Sequence, residues 1–174
     1  MCGVFSIISL DQSNDSLEEA GKKGLVELRH RGPDMSSYVY NDKFFFGHTR
    51  LSIFDLSDSS KQPYPPQSKE LNSSRLIFNG EIFNFRDLSS QLFDNNEPLS
   101  DTQLLWNFLE SKDFNSLKKD LNELNGMWSF LYYDHKDQSI IYSRDRFGEK
   151  PLFCLLYTSP SPRDRTRSRM PSTA

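Results

Sequence analysis

Short apolar runs separated by polar turns fill most of this chain. Residues 2–10, CGVFSIISL, interleave apolar and small residues and predict a strand. Ser16-Leu17-Glu18-Glu19 has capping-box spacing and predicts a helix to about Leu28, despite Gly21 and Gly24. Leu17, Leu25 and Leu28 loosely share one face of it. Gly32-Pro33 stops that helix. Ser37–Tyr40 and Lys43–Thr49 predict a hairpin through Asn41-Asp42. The polar stretch from Asp55 to Ser74, with Pro63, Pro65 and Pro66, predicts a long surface loop of the kind that often forms lids or binding loops.

The second half continues the mixture. Arg75–Phe78 predicts a strand ending at the turn dipeptide Asn79-Gly80, followed by a short helix at about Phe85–Leu92 and a turn at Asn95-Asn96. Ser100 and Gln103 repeat the capping-box spacing and open a helix with an apolar stripe of Leu104, Leu105, Phe108 and Leu109. A further helix is expected at about Asn115–Leu124. Gly126–Asp134 and Ser139–Arg144 predict a hairpin, Arg144–Gly148 a charged turn, and Lys150–Cys154 the start of one more strand. This order is an α+β pattern with a largely antiparallel sheet.

Composition narrows the picture. The 174 residues suggest one domain with a real core. The 14 Phe and 7 Tyr favour half-buried strands. Two cysteines, Cys2 and Cys154, form no disulfide framework. No secretory leader and no membrane-spanning apolar run is visible, so a reducing cytoplasm is the expected compartment. Four of the 21 basic and one of the 24 acidic residues follow Cys154, so the chain up to that point has a net charge of −6. That balance argues against nucleic acid as a partner. No phosphate-binding glycine loop or metal-ligand spacing appears, and the three histidines are scattered.

Candidate chemistry begins at Cys2. Removal of Met1 would place a thiol and a free α-amine on one carbon, a nucleophile with its own base. A terminal amine titrates at about 7.7–8.0 in solution and is partly neutral near pH 7. Taken alone, Cys2 reads first as a small apolar residue of a buried strand. His30 and Arg31 before Gly32-Pro33 read as a helix C-terminal cap. Asp101 lies where the dipole of a helix favours an anion.

In order, Met1-Cys2-Gly3, His30-Arg31-Gly32-Pro33-Asp34, Arg50-Leu51-Ser52-Ile53, Asn79-Gly80-Glu81-Ile82, Ser100-Asp101-Thr102 and Arg144-Asp145-Arg146-Phe147-Gly148 resemble the class II glutamine amidotransferase domain of asparagine synthetases, from Met1 to about Phe153. The resemblance implies an N-terminal-nucleophile fold, an αββα sandwich of two antiparallel sheets, here C-terminally incomplete. It implies L-glutamine as substrate and Cys2 as the nucleophile that attacks its side-chain amide. It implies an oxyanion hole made by the Asn79 side chain and the Gly80 N–H, each such donor being worth about 3–4 kcal/mol of barrier. The α-carboxylate would meet Arg50 and the α-ammonium Asp101 with help from Glu81, with further contacts along Arg50, Leu51, Ser52, Ile53 and Phe54. His30 and Arg31 would shape a loop near the site, and Arg144-Asp145-Arg146 would form a structural ion-pair turn. No metal or cofactor is implied for this domain. ATP and Mg²⁺ belong to a C-terminal synthetase domain, which the parent enzyme would carry, with homodimerisation as one arrangement.

The chain departs from that family at its end. The family's domain continues with more strands, and the synthetase domain has no room here. After residues 2–153, positions 154–174 turn to Ser, Pro, Thr and Arg, a composition that cannot build a core. They resemble translated sequencing-adapter read-through, so the expectation is a non-native, disordered tail on a truncated gene model; a genuine basic tail is the alternative. Losing strands would leave sheet edges unpaired, so the isolated chain is expected to be at best a free glutaminase. Three functional alternatives stay open at this stage: an amidotransferase domain serving another carboxylate, a terminal-nucleophile hydrolase of a different amide, and a non-catalytic glutaminase-like interaction domain.

Overall fold

Alternation along the strands decides the architecture. A computed structural model describes residues 2–9, 16–51, 61–66, 73–92, 100–111 and 114–155. Its elements are β1 (Gly3–Ile8), α1 (Leu17–Glu27), a 3₁₀ turn (Arg29–Arg31), β2 (Met35–Tyr40), β3 (Phe44–Arg50), β4 (Arg75–Ile82), α2 (Phe85–Leu92), α3 (Asp101–Ser111), α4 (Phe114–Asp120), β5 (Gly126–Asp134) and β6 (Ser139–Arg144). They form two antiparallel three-stranded sheets, ordered β1-β3-β2 and β4-β5-β6.

Period-two alternation gives β3 two apolar faces. Phe44 and Phe46 point one way and cluster with Ile77 and Tyr133 of the other sheet, flanked by Val4, Val39, Leu131 and Ile140. Phe45 points the other way and packs under Leu17 and Leu25 of α1. The outer face of the second sheet, including Leu76, Phe78, Phe130 and Tyr132, packs on Leu104, Leu105 and Phe108 of α3 with Leu88 and Leu117 from α2 and α4. The layers are therefore helix, sheet, sheet, helices: an αββα sandwich in which all six Phe of these clusters' cores, Phe45, Phe46 and Phe130 among them, are all but solvent-free. Gly21 and Gly24, costly inside a helix, have a packing reason: a methyl at either would lie 2.3 Å from the ring of Phe45 or Phe5, respectively.

Most predicted elements form close to their expected bounds. The Asn41 hairpin is closed by its own side chain, whose Oδ1 accepts the N–H groups of Lys43 and Phe44 at 2.9 Å each. Ser100 caps α3, its Oγ accepting the Gln103 N–H at 3.2 Å. Ser16 occupies the N-cap of α1 but makes no side-chain capping bond, its backbone being already helical (φ −88°, ψ −4°). The helix expected to reach Leu124 ends at Asp120 and continues as a 3₁₀ turn over Leu121–Glu123. The strand expected at Lys150–Cys154 does not form. Pro151 lacks a ladder donor, and Phe153 stays 88% exposed. Part of the expected surface loop is also structural: Tyr64 pairs with Leu76 on the open edge of β4 through bonds of 2.8 and 3.0 Å, and Gln62 is buried.

Candidate active site

The inter-sheet layer changes character along its length. At one end it is the Phe44–Phe46–Ile77–Tyr133 cluster. Following β3 onward on the same face, the next residues are His48 and Arg50, 1% and 7% exposed. Following β4 past Ile77 on that face, the next is Asn79, also 7% exposed, and its register partner on β5 is Ser129. β1 runs antiparallel to β3 and pairs Gly3 with Thr49, which brings Cys2 beside the end of β3. The Cys2 thiol donates to the Leu51 carbonyl at 3.9 Å.

The turn after α1 is built onto this corner. A methyl on Gly32 would lie 2.3 Å from the Thr49 carbonyl carbon and 2.5 Å from the Arg50 nitrogen. Asp34 N–H donates to Arg50 O at 3.2 Å, and Thr49 Oγ1 donates to Leu28 O at 3.2 Å. His30 Nδ1 donates to Glu27 O at 2.8 Å, the helix-end cap that its position suggests. The turn that carries His30 and Arg31 is thus pinned against the Thr49–Arg50 end of β3.

The open edge of β4 supplies the other wall. In an antiparallel edge strand every second N–H points away from the sheet. On β4 these are the even positions. Leu76 N–H donates to Tyr64 O at 3.0 Å, Phe78 N–H to Gln62 Oε1 at 2.6 Å, and Ile82 N–H to Asp101 Oδ2 at 3.3 Å. The same period turns the Gly80 N–H to this edge, between the bonds made by Gln62 and Asp101. Gly80 has φ +154°, and a methyl there would lie 2.1 Å from Met127 O. No other residue fits that backbone.

Asp101 sits in the first turn of α3 and ties that helix to the end of β4. Burial pushes its carboxyl above the usual range, against the N–H bonds from Ile82 and Thr102, and Glu81 nearby adds to the rise. Such a carboxylate gains from a cation placed beside it. Glu81 itself lies on β4 in the same row as Asn79. Ser52, Ile53 and Phe54 lie outside the described residues. Cys2 reaches Leu51 just past the end of β3, the strand that carries Arg50, and the end of β4, which carries Asn79, Gly80 and Glu81, is tied to Asp101 at the start of α3. Among the described residues no group of His, Cys, Asp or Glu could hold a metal ion. No described helix is long and apolar enough to cross a membrane.

Three residues here escaped sequence reasoning. His48 is the first: burial, then the Arg50 charge, push its pKa down to about 4, and neither ring nitrogen has a hydrogen-bond partner in the protein. The alternation Phe44, Phe46, His48, Arg50 would have placed it. Gln62 is the second, and no local signal marks it. The third is the role of Asp145, expected in an ion-pair turn. Its buried carboxylate accepts four backbone N–H groups, from Trp128, Phe147, Glu149 and Lys150. Burial alone would raise its pKa, but these bonds hold it below the usual carboxylate value. Asp145 N–H also donates to Trp128 O at 2.7 Å, so the turn extends the β5–β6 ladder opposite Gly80.

Comparison with known proteins gives a consistent result. A family model described as a glutamine amidotransferase domain matches residues 1–162. The chain is 32% identical over 168 residues to the putative asparagine synthetase [glutamine-hydrolyzing] 2 of Methanocaldococcus jannaschii, covering 88% of this chain and 32% of that protein. It is 34% identical over 160 residues to asparagine synthetase [glutamine-hydrolyzing] 1 of Bacillus subtilis, covering 88% and 24%. A relative with a different name, amidase chry2 of Gibberella zeae, is 28% identical over 170 residues, covering 90% and 24%. The chain thus spans a third or less of the length of these relatives.

Proposed function

Since this chain belongs to the glutamine amidotransferase domain family, we propose that its site hydrolyses L-glutamine to glutamate and ammonia through a thioester on Cys2. With Met1 removed, the Cys2 α-amine takes the thiol proton, and the thiolate attacks the glutamine amide carbon. The tetrahedral oxyanion is met by the Asn79 side-chain N–H and the Gly80 N–H. The amine then delivers its proton to the departing ammonia. Water cleaves the γ-glutamyl thioester by the same route. Arg50 takes the α-carboxylate, and Asp101, with Glu81, takes the α-ammonium.

The observation that supports the reading is the buried polar row that continues the inter-sheet layer past its apolar cluster, with Arg50 of β3 one residue before Leu51, the Cys2 contact, and Asn79 one residue before Gly80 on β4. The glutaminase unit is residues 2–153, with 154–174 a non-native tail. In the parent protein, a cytoplasmic enzyme, a further domain using ATP and Mg²⁺ consumes the ammonia to convert aspartate to asparagine. The relative named amidase chry2 favours a second reading, hydrolysis of a different amide. The test is ammonia release from glutamine by the Met1-processed chain, beside glutamate production and a panel of other amides. Turnover confined to glutamine and abolished in Cys2→Ala supports the proposal; no turnover, or preference for another amide, ends it.

A further inference from the structure

Gln62 lies in none of the segments that carry the expected site residues, yet it is 6% exposed and joins the two sheets beside the site. Its backbone carbonyl accepts a hydrogen bond from Ser37 Oγ of β2, and Ser37 is the register partner of His48. Its side-chain Oε1 accepts the Phe78 N–H at 2.6 Å. Two residues on, the Tyr64 backbone pairs with Leu76. The Gln62 side chain thus takes the place of the next backbone acceptor along the β4 edge and ends the added strand one position short of Gly80.

From this geometry we propose that Gln62 is a positioning residue for the oxyanion hole. It fixes the β4 edge immediately before Asn79 and Gly80, ties that edge to the sheet carrying Cys2 and Arg50, and leaves the Gly80 N–H as the next outward donor. Asp101 holds the Ile82 N–H on the other side, so the Gly80 donor is clamped from both directions. An ordinary strand would continue the ladder through Gly80 and consume that donor. A side-chain acceptor stops the ladder without leaving the buried Phe78 N–H unpaired. The inference rests on the glutamine-hydrolysing reading above.

Gln62→Met keeps the length and volume of the side chain and removes the acceptor. It is expected to lower kcat for glutamine hydrolysis at least 10-fold while KM moves less than 3-fold. The affinity for glutamate γ-semialdehyde, whose thiol adduct places an oxyanion in the hole, should fall by the same factor as kcat/KM. Alkylation of Cys2 by a chloroketone analogue of glutamine, which tests nucleophile and binding, should stay within 3-fold. Gln62→Glu, which keeps an acceptor oxygen at the same reach, should recover most of the loss. Amide hydrogen exchange at Phe78 should quicken at least 10-fold in Gln62→Met, with distant β5 amides unchanged.

Unchanged kcat, a loss confined to KM, or unchanged aldehyde affinity overturns the proposal. So does equal slowing of alkylation and hydrolysis. A wild-type chain without glutaminase activity sinks the functional reading instead, and the exchange measurement then still decides whether Gln62 clamps this edge. Should Gln62→Met not fold, Ser37→Ala, which loosens the same clamp from β2, is expected to show the same kcat-weighted loss at smaller size; no loss there overturns the proposal.

Discussion

The two ends of the inter-sheet layer are made by the same strands and differ almost completely in what they bury. At one end Phe44, Phe46, Ile77 and Tyr133 interlock as an ordinary apolar core. At the other, His48, Arg50, Asn79 and Ser129 are equally withdrawn from water, and the imidazole nitrogens of His48 and the Ser129 hydroxyl have no protein partner. Burying such groups works against folding unless they are hydrogen-bonded. The apolar end therefore carries the stability, and the polar end spends some of it on a preorganised site.

Substitutions can break that contrast, starting with the most severe. Cys2→Ala is expected to reduce ammonia release by at least about 10⁴-fold, the scale on which nucleophile deletions act, with the thermal midpoint nearly unchanged. Phe46→Ala, at the apolar end, should destabilise by about 3–5 kcal/mol in urea unfolding. An activity loss there should track the fraction unfolded.

His48 sharpens the contrast through pH. Its folded pKa of about 4 lies below the ordinary 6.5. The unfolded chain therefore binds the extra proton first, so stability is full above about pH 6.5 and falls as pH drops toward 4. That loss should be on the order of 2–3 kcal/mol, and His48→Leu should remove it from the pH dependence of urea unfolding. An identical acid limb in that variant would mean that other groups set it.

Asp101→Asn should raise the glutamine KM by about 10–100-fold, or about 1.4–2.7 kcal/mol. Because burial raises the Asp101 pKa in the fold, ionising it costs stability as pH rises through that value. The variant should consequently be no less stable near neutral pH, as read by thermal unfolding. The smallest effect is expected from Ser100→Ala: about 1 kcal/mol of stability from the lost cap on Gln103, with KM rising only as far as Asp101 is displaced.

Local chemistry was readable wherever a residue's partners are its near neighbours. The Asn41 turn, the Ser100 cap, the hairpin of β5 and β6 and the His30 cap follow from spacings of three or four residues. Reading failed where partners are distant or backbone conformation intervenes. Ser16 has the right spacing but a helical backbone. Lys150–Cys154 has strand composition but forms no strand. Asp145 recognises backbone N–H groups, including one 17 residues away, which no charge pattern announces. Gln62 meets Phe78 from a Pro-rich stretch that composition assigns to the surface.

By itself, the order of residues determined most of the strands and helices, the cysteine at position 2 and the family motifs, since those depend on side-chain type and short-range spacing. Only the tertiary structure decided that the start of β1 meets the end of β3, which face of β3 carries both His48 and Arg50 inward, and which β4 amides remain outside the ladder. Those outcomes depend on register between strands far apart in the chain, where a slip of one residue would send Arg50 and Asn79 to the opposite faces of their sheets.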